Sequence, residues 1–419
     1  MSTTLFVNAS EAVTCAGPAR ARRGVEMSDA VVRRGIGIAV QGDRIVAVES
    51  DDTLRAAFPD STEVDCDRGI LAPGFVDSHT HAVFGKARYE EHELRATGVP
   101  YMEIARRGGG IHASVRDLRT RGDDELFSLA AARLRRLAAG GVTTVEIKSG
   151  YGLNVQDELR TLRVVRRLSE TSSMRVLATC LGAHEIPLEF RAEAGGTDKW
   201  IDVLTNELFP AVAAESLATF ADVFCEPGVF GLDETRRILS AAANLGMRTK
   251  LHADELHDGG GAALAAEIGA TSADHLAAIS PAGVAALAAS DTVATLLPAT
   301  MLFLGTGRQA PARALIGAGA AVALATDLNP GTSPLQSFPL LLTLAVSELR
   351  MSAAEAWIAS TVNGAAALGL AGQTGQLSPG FSADVAVHAV QDHRELPYWF
   401  GERLCRAAWA RGSACHPVE

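Results

Sequence analysis

From about Gly69 to Ala371, short apolar runs alternate with longer Ala/Leu/Arg-rich stretches. Runs of this length and β-branched content predict strands at Leu71–Val76, Thr143–Ile147, Val176–Leu181, Val223–Glu226, Arg248–Leu251, Thr271–Asp274, Val293–Leu297 and Ala321–Ala325. The stretches between them predict helices such as Asp124–Ala139, Asp157–Ser169, Leu232–Leu245, Gly260–Ile268, Pro281–Ala289 and Pro311–Gly317. Eight strands alternating with helices predict an α/β fold, a (β/α)8 TIM-like barrel, whose chemistry sits at the C-terminal ends of the strands.

The chain ends read differently. Residues 1–67 carry β-branched runs broken by turn signals, as where Gly42-Asp43-Arg44 leads into Ile45-Val46-Ala47-Val48, and the stretch Gly375 to Val390 has the same texture. The expectation is one small flanking β domain built from both ends, residues 1–67 with 372–419, and a barrel over 68–371.

In order, the predicted strands end in His79 and His81, Lys148, His184, Glu226, His252, His275, Pro298 and Asp327, so all but one finish in an ionisable residue. A barrel closed for stability alone would carry charges there only here and there, and the clustering points to an active site. In an extended segment His79 and His81 leave on the same side. With His252 and Asp327 they make a set of three nitrogens and one carboxylate suited to Zn²⁺ or Fe²⁺ with a position open for water, whose pKa such an ion lowers to about 7. Each has a bland reading as well: a hydrogen-bonded histidine, or for Asp327 a loop anchor in Thr326-Asp327-Leu328-Asn329-Pro330-Gly331. His275 is a candidate to polarise the bond under attack, against a satisfied core histidine. Glu255, three residues past His252, is a candidate general base or substrate anchor, against a solvated glutamate. Asp327 is a third candidate for the proton.

Composition narrows the classes. The chain has 419 residues, 47% of them hydrophobic and 21% charged, which suits an ordinary globular protein with a sizeable core. Its net charge of −11, without any dense Lys/Arg block, argues against nucleic acid and anionic membranes as partners. Six scattered cysteines without a C-x-x-C read as reduced thiols. No apolar leader follows Met1 and no run of about 18 apolar residues occurs, so the expectation is a cytoplasmic protein.

The segment Pro73-Gly74-Phe75-Val76-Asp77-Ser78-His79-Thr80-His81, with the later His252, His275 and Asp327, resembles the amidohydrolase superfamily. Further similar segments are Arg106-Arg107-Gly108-Gly109-Gly110-Ile111, Gly141 to Leu153, Leu181-Gly182-Ala183-His184, Lys250 to Glu255, Ala325 to Gly331 and Glu395-Leu396-Pro397-Tyr398. Within that superfamily they are most similar to the members that open 4-imidazolone-5-propionate to N-formimidoyl-L-glutamate, the third step of histidine degradation. The resemblance implies one divalent metal per chain, Zn²⁺ or Fe²⁺, on His79, His81, His252 and Asp327. It implies a small anionic substrate held by Arg88, Tyr151, His184, Glu255, Asn329, Gly331 and Thr332, and a homodimer. Arg88 suits a propionate tail, because a guanidinium grips a carboxylate bidentately. The segment Ala82-Val83-Phe84-Gly85-Lys86-Ala87-Arg88 departs from the family's usual sequence but keeps the spacing, and the stretch Pro298 to Leu304 departs too. Open alternatives are a nucleobase deaminase or another cyclic amide hydrolase, a non-catalytic scaffold, and a binuclear site using Glu226, His252 and His275.

Overall fold

The chain folds around eight parallel strands. The computed structural model describes residues 2–99, 103 and 108–416; Arg106 and Arg107 of one similar segment lie outside them. The strands are β1 (Phe75–Asp77), β2 (Val142–Lys148), β3 (Arg175–Ala183), β4 (Phe220–Cys225), β5 (Arg248–Ala253), β6 (Ser272–His275), β7 (Val293–Leu296) and β8 (Val322–Leu324). They pair in sequence order, each parallel to the next. The barrel closes just beyond the strand ends, where Asp327 N donates to His79 O at 3.0 Å and His81 N to Leu328 O at 2.8 Å. Closure and the candidate ligands therefore share the same backbone.

Helices follow the strands: α1 (Asp123–Ala138), α2 (Val155–Thr171), α3 (Gly196–Val203), α4 (Leu232–Asn244), α5 (Gly261–Glu267), α6 (Pro281–Ala288), α7 (Ala312–Ala318) and α8 (Ala353–Ser360). Local chemistry sets their ends. Three acids open α1 and Arg135 and Arg136 stand in its last turn, matching the helix dipole, and Asn154 caps α2 by accepting from Asp157 N. Strand β2 is buried along its whole length, as parallel strands covered by helices are. Val145 and Ile147 join the core outside the barrel, while Glu146 and Lys148, on the alternate face, enter its interior.

The predicted first strand is in fact two. Ile70–Pro73 belongs to a six-stranded sheet with Glu11–Val13, Val32–Arg33, Val385–His388, Cys405–Ala410 and Ser413–His416, and only Phe75–Asp77 enters the barrel. The switch falls at Gly74, whose N–H turns to Asp384 O; a Cβ there would lie 2.1 Å from Thr143 Cγ2, so glycine is required for the crossing. Within that sheet Val385–His388 runs antiparallel to Ile70–Pro73, which joins the two chain ends. A second, four-stranded sheet comes from the N-terminal end alone, Thr3–Val7, Ile36–Gln41, Arg44–Ser50 and Thr62–Asp65. All six cysteines are unbridged. Among the described residues no helix is long and apolar enough to cross a membrane.

Candidate active site

The strand ends converge on a cavity of about 390 Å³ lined by His81, Arg88, Tyr151, His184, His252, Glu255, His275, Asp327, Asn329 and Thr332. His79 lies beneath it, fully buried. The structure thus brings together the candidate residues, with Gly331 behind Arg88. Glu226 is turned away: its Oε1 sits 2.6 Å from His257 Nδ1 and its Oε2 accepts from Leu256 N. It therefore braces the loop that carries Glu255, and among the described residues it is in no cluster of metal-ligating atoms.

The four candidate ligands suit a divalent cation. Asp327 Oδ1 lies 3.5 Å from His79 Nε2 and 3.6 Å from His81 Nε2; an ion with bonds of about 2.1 Å in tetrahedral array holds its ligands about 3.4 Å apart. The His252 ring stands 4.6 Å from that of His79, centroid to centroid. His79 Nε2 and His252 Nε2 are buried with no hydrogen-bond partner. Such nitrogens are costly in a dry site unless something accepts their lone pairs, and a cation does.

Beneath them lies a charged floor, of which the sequence singled out only Lys148, a strand-end lysine able to pair with an acidic neighbour. Lys148 Nζ is 2.8 Å from Asp222 Oδ2 and 3.0 Å from Glu146 Oε1, and Lys250 Nζ is 2.8 Å from both Glu146 Oε2 and Ser78 O. Asp274 Oδ2 completes the group, 3.6 Å from Lys148 and 3.8 Å from Lys250. The five side chains are fully buried; isolated, each would be prohibitively costly, so they are met by one another. Two of the carboxylates also reach the histidines, Asp274 Oδ2 at 2.7 Å from His79 Nδ1 and Asp222 Oδ2 at 3.0 Å from His252 Nδ1. Asp274 accepts from His79 Nδ1–H, which leaves the His79 Nε2 lone pair facing upward. The available signal was an acid or lysine inside an apolar run, as in Phe220-Ala221-Asp222-Val223-Phe224-Cys225.

Electrostatics separate the remaining groups. Burial pushes Glu255 up to about 8, with the Asp327 and Glu226 charges adding to it; its Oε2 lies 3.6 Å from His275 Nδ1. Burial holds His275 well below the ordinary imidazole value, the neighbouring His252 adding to it, and lowers His184 to about 3. His184 Nδ1 donates to Gly150 O at 3.1 Å, which directs Nε2 to the cavity, and its ring stacks on His81 at 5.0 Å. Asp327 Oδ2 accepts from Thr300 Oγ1 at 2.6 Å, a partner the sequence did not single out. His275 and Asp327 both hold positive φ, +80° and +52°, a cost tolerated where side-chain aim matters.

The loops around the cavity are braced by buried polar groups. Glu158 on α2 accepts from Gly150 N, Gly152 N and Leu153 N, bracketing Tyr151. Asn329 Oδ1 accepts from Gly331 N, Thr332 N and Ser333 N, and its Nδ2 donates to Asp327 O, so this side chain chiefly shapes its own turn. Asp254 holds Gly259 N, Gly261 N and Ala262 N. Arg308 donates to Glu255 O and Leu256 O. Arg88 runs across Gly331, where a Cβ would fall 1.4 Å from its Nη2.

Comparison with known proteins bears on this site. Residues 103–395 match the model of the amidohydrolase family, and residues 37–60 match an imidazolonepropionase-like composite domain of bacteria. An imidazolonepropionase of Solibacter usitatus is 42% identical over 417 residues, 99% of each chain. The chain belongs to the imidazolonepropionase family of amidohydrolases. Another family member, from Symbiobacterium thermophilum, is 46% identical over 97% of this chain and 96% of its own. Among solved structures, an A. niger ochratoxinase superposes with a TM-score of 0.71 at 17% identity over 99% of this chain and 95% of its own. A Xanthomonas campestris adenosine deaminase with bound zinc gives 0.70 at 21% identity over 99% and 92%. These two share the fold.

Proposed function

We infer that this chain hydrolyses 4-imidazolone-5-propionate to N-formimidoyl-L-glutamate. The observation that carries the reading is Arg88, held across Gly331 in the lining of the same cavity as His81, His252 and Asp327, with His79 beneath it. A cation set apart from the reacting end fits a ring with a carboxylate tail. The imidazolonepropionase relatives, similar over nearly the whole chain, support the same substrate.

His79, His81, His252 and Asp327 would hold one divalent ion, zinc or ferrous iron, which supplies a Lewis acid and an acidified water. Arg88 pairs with the propionate. Tyr151 and His184 face the ring and limit its orientation. Water adds to the ring carbonyl, the adjacent C–N bond breaks, and a new carboxylate and an N–H form. Glu255 takes the proton of the attacking water at Oε2 and returns it to the leaving nitrogen, a shuttle open to a carboxylate in the cavity lining. His275, beside Glu255, polarises the carbonyl under attack. The same reading includes a homodimer in the cytoplasm.

The test is to incubate metal-loaded protein with 4-imidazolone-5-propionate and follow loss of ring absorbance beside a chelated sample. Loss that the chelator abolishes, with N-formimidoyl-L-glutamate as product, is expected. Loss no faster than the spontaneous background, from protein shown to contain metal, overturns the substrate, and neutral nucleobases and cyclic amides become the next substrates to assay.

A further inference from the structure

We propose that Arg133, on α1, is a positioning residue for substrate binding, fixing the loop of residues 82–85 and through it the placement of Arg88. The proposal rests on the reading of Arg88 given above. Arg133 is buried, and its fork is spent on one short loop: Nη1 donates to Ala82 O at 3.0 Å and Phe84 O at 2.6 Å, and Nη2 to Gly85 O at 3.0 Å. The guanidinium also lies 3.4 Å from the centre of the Phe84 ring. Burial lowers its pKa to about 10, which leaves it charged at neutral pH.

This loop is most of the covalent link between two parts of the site. His81 stands before it and Arg88 a few residues after it. Its ends are pinned separately, His81 N to Leu328 O and Arg88 N to Pro330 O, both at 2.8 Å. Between these pins the chain forms no strand or helix, and three of its carbonyls, of Ala82, Phe84 and Gly85, take their hydrogen bonds from Arg133. An apolar side chain could not satisfy three such acceptors, and a shorter polar one could not reach them together; the planar fork does both. On the other side Lys86 N donates to Asp117 Oδ2 at 2.8 Å, and Gly85 lies where a Cβ would come 1.9 Å from that oxygen. The loop is thereby held from two helices, α1 and the helix Ile111–Thr120 that carries Asp117, and Arg88 projects from a backbone with little freedom. Loss of the fork relaxes the loop at the Arg88 end, while His252 and Asp327 stand on other segments and His79 and His81, though on the same run, are held by their own backbone bonds, Asp327 N to His79 O and His81 N to Leu328 O.

The experiment compares KM, kcat, bound metal and thermal midpoint for Arg133→Met, Arg133→Lys, Arg88→Ala and the double variant Arg88→Ala/Arg133→Met. Arg133→Met is expected to raise KM about tenfold or more, with kcat within about threefold and metal per chain unchanged, since small misplacements of a binding group cost factors of this size. Arg133→Lys, which keeps the charge but not the fork, should give a smaller rise. The double variant should have the KM of Arg88→Ala within about twofold, because a residue acting through Arg88 has nothing left to position. A KM unmoved in both Arg133 variants, or a double variant whose KM is the product of the single effects, overturns the proposal. So does a fall in kcat and metal with KM unchanged, and so does failure of both Arg133 variants to fold, which would assign the residue to stability. An unmoved KM in Arg88→Ala alone overturns the Arg88 reading itself, and the Arg133 proposal with it.

Discussion

Asp274 Oδ2 lies 2.7 Å from His79 Nδ1, and both side chains are fully buried. The carboxylate fixes the imidazole tautomer and raises the basicity of the nitrogen that faces the cavity. Asp274→Asn keeps the shape but removes the charge, and a neutral amide holds the Nδ1 proton less strongly. Metal affinity is expected to fall about 10–100-fold. Metal content after dialysis against graded chelator measures this, and retention equal to the wild type would refute the role.

The strands and their order were legible because burial on both faces leaves unbroken apolar runs, as in Val142–Lys148. The histidines were legible because they stand at the ends of those runs. What could not be read was pairing across the barrel. Lys148 and Asp222 are separated by 74 positions in the chain and meet at 2.8 Å only because neighbouring inward-facing residues share one interior layer. The break at Gly74 was hidden for a related reason: Leu71–Val76 is continuously apolar, and a hydrophobic run does not say which of two sheets it serves. Glu226 ends its strand like a ligand, yet both its oxygens go to the 256–257 backbone and side chain, a choice made by the neighbouring loop.

Glu255→Gln tests the proton shuttle. The amide keeps the side chain's size but has no site to take a proton, while Arg308 still holds the backbone at Glu255 O. The turnover number is expected to drop about 10²–10⁴-fold with KM changed far less. Steady-state kinetics on metal-loaded protein decide it; a variant within tenfold of wild-type turnover would move the role to His275 or Asp327.

Gly331→Ala tests the seat of Arg88. A Cβ at this position would overlap the guanidinium, so either Arg88 or the turn held by Asn329 must shift. Arg88 has the freer atoms, and its displacement should raise KM about tenfold or more while turnover at saturation stays within a few fold. The fold itself should lose only about 1–3 kcal/mol, the usual cost of overpacking. A variant with wild-type KM would show that Arg88 moves aside without losing its grip on the carboxylate.

His388 gives a prediction about acid stability. It packs against Phe75 and Trp357, with ring centroids 5.5 Å and 6.0 Å away, and both ring nitrogens lack hydrogen-bond partners. Burial lowers its pKa to about 3, so the folded chain keeps this ring neutral where the unfolded chain protonates it, near 6.5. Between those values the unfolded state binds the extra proton, and stability therefore falls as pH drops from about 6.5 towards 3. At 1.36 kcal/mol per unit the penalty reaches roughly 4 kcal/mol at the acid end. His388→Leu removes the titrating group from a site that offers it nothing but apolar contacts. Denaturant unfolding of both proteins at pH 7 and pH 4.5 should show the variant losing about 2 kcal/mol less than the wild type on acidification, whatever its stability at pH 7. Equal losses in the two proteins would mean that the His388 ring gains its proton within the folded state.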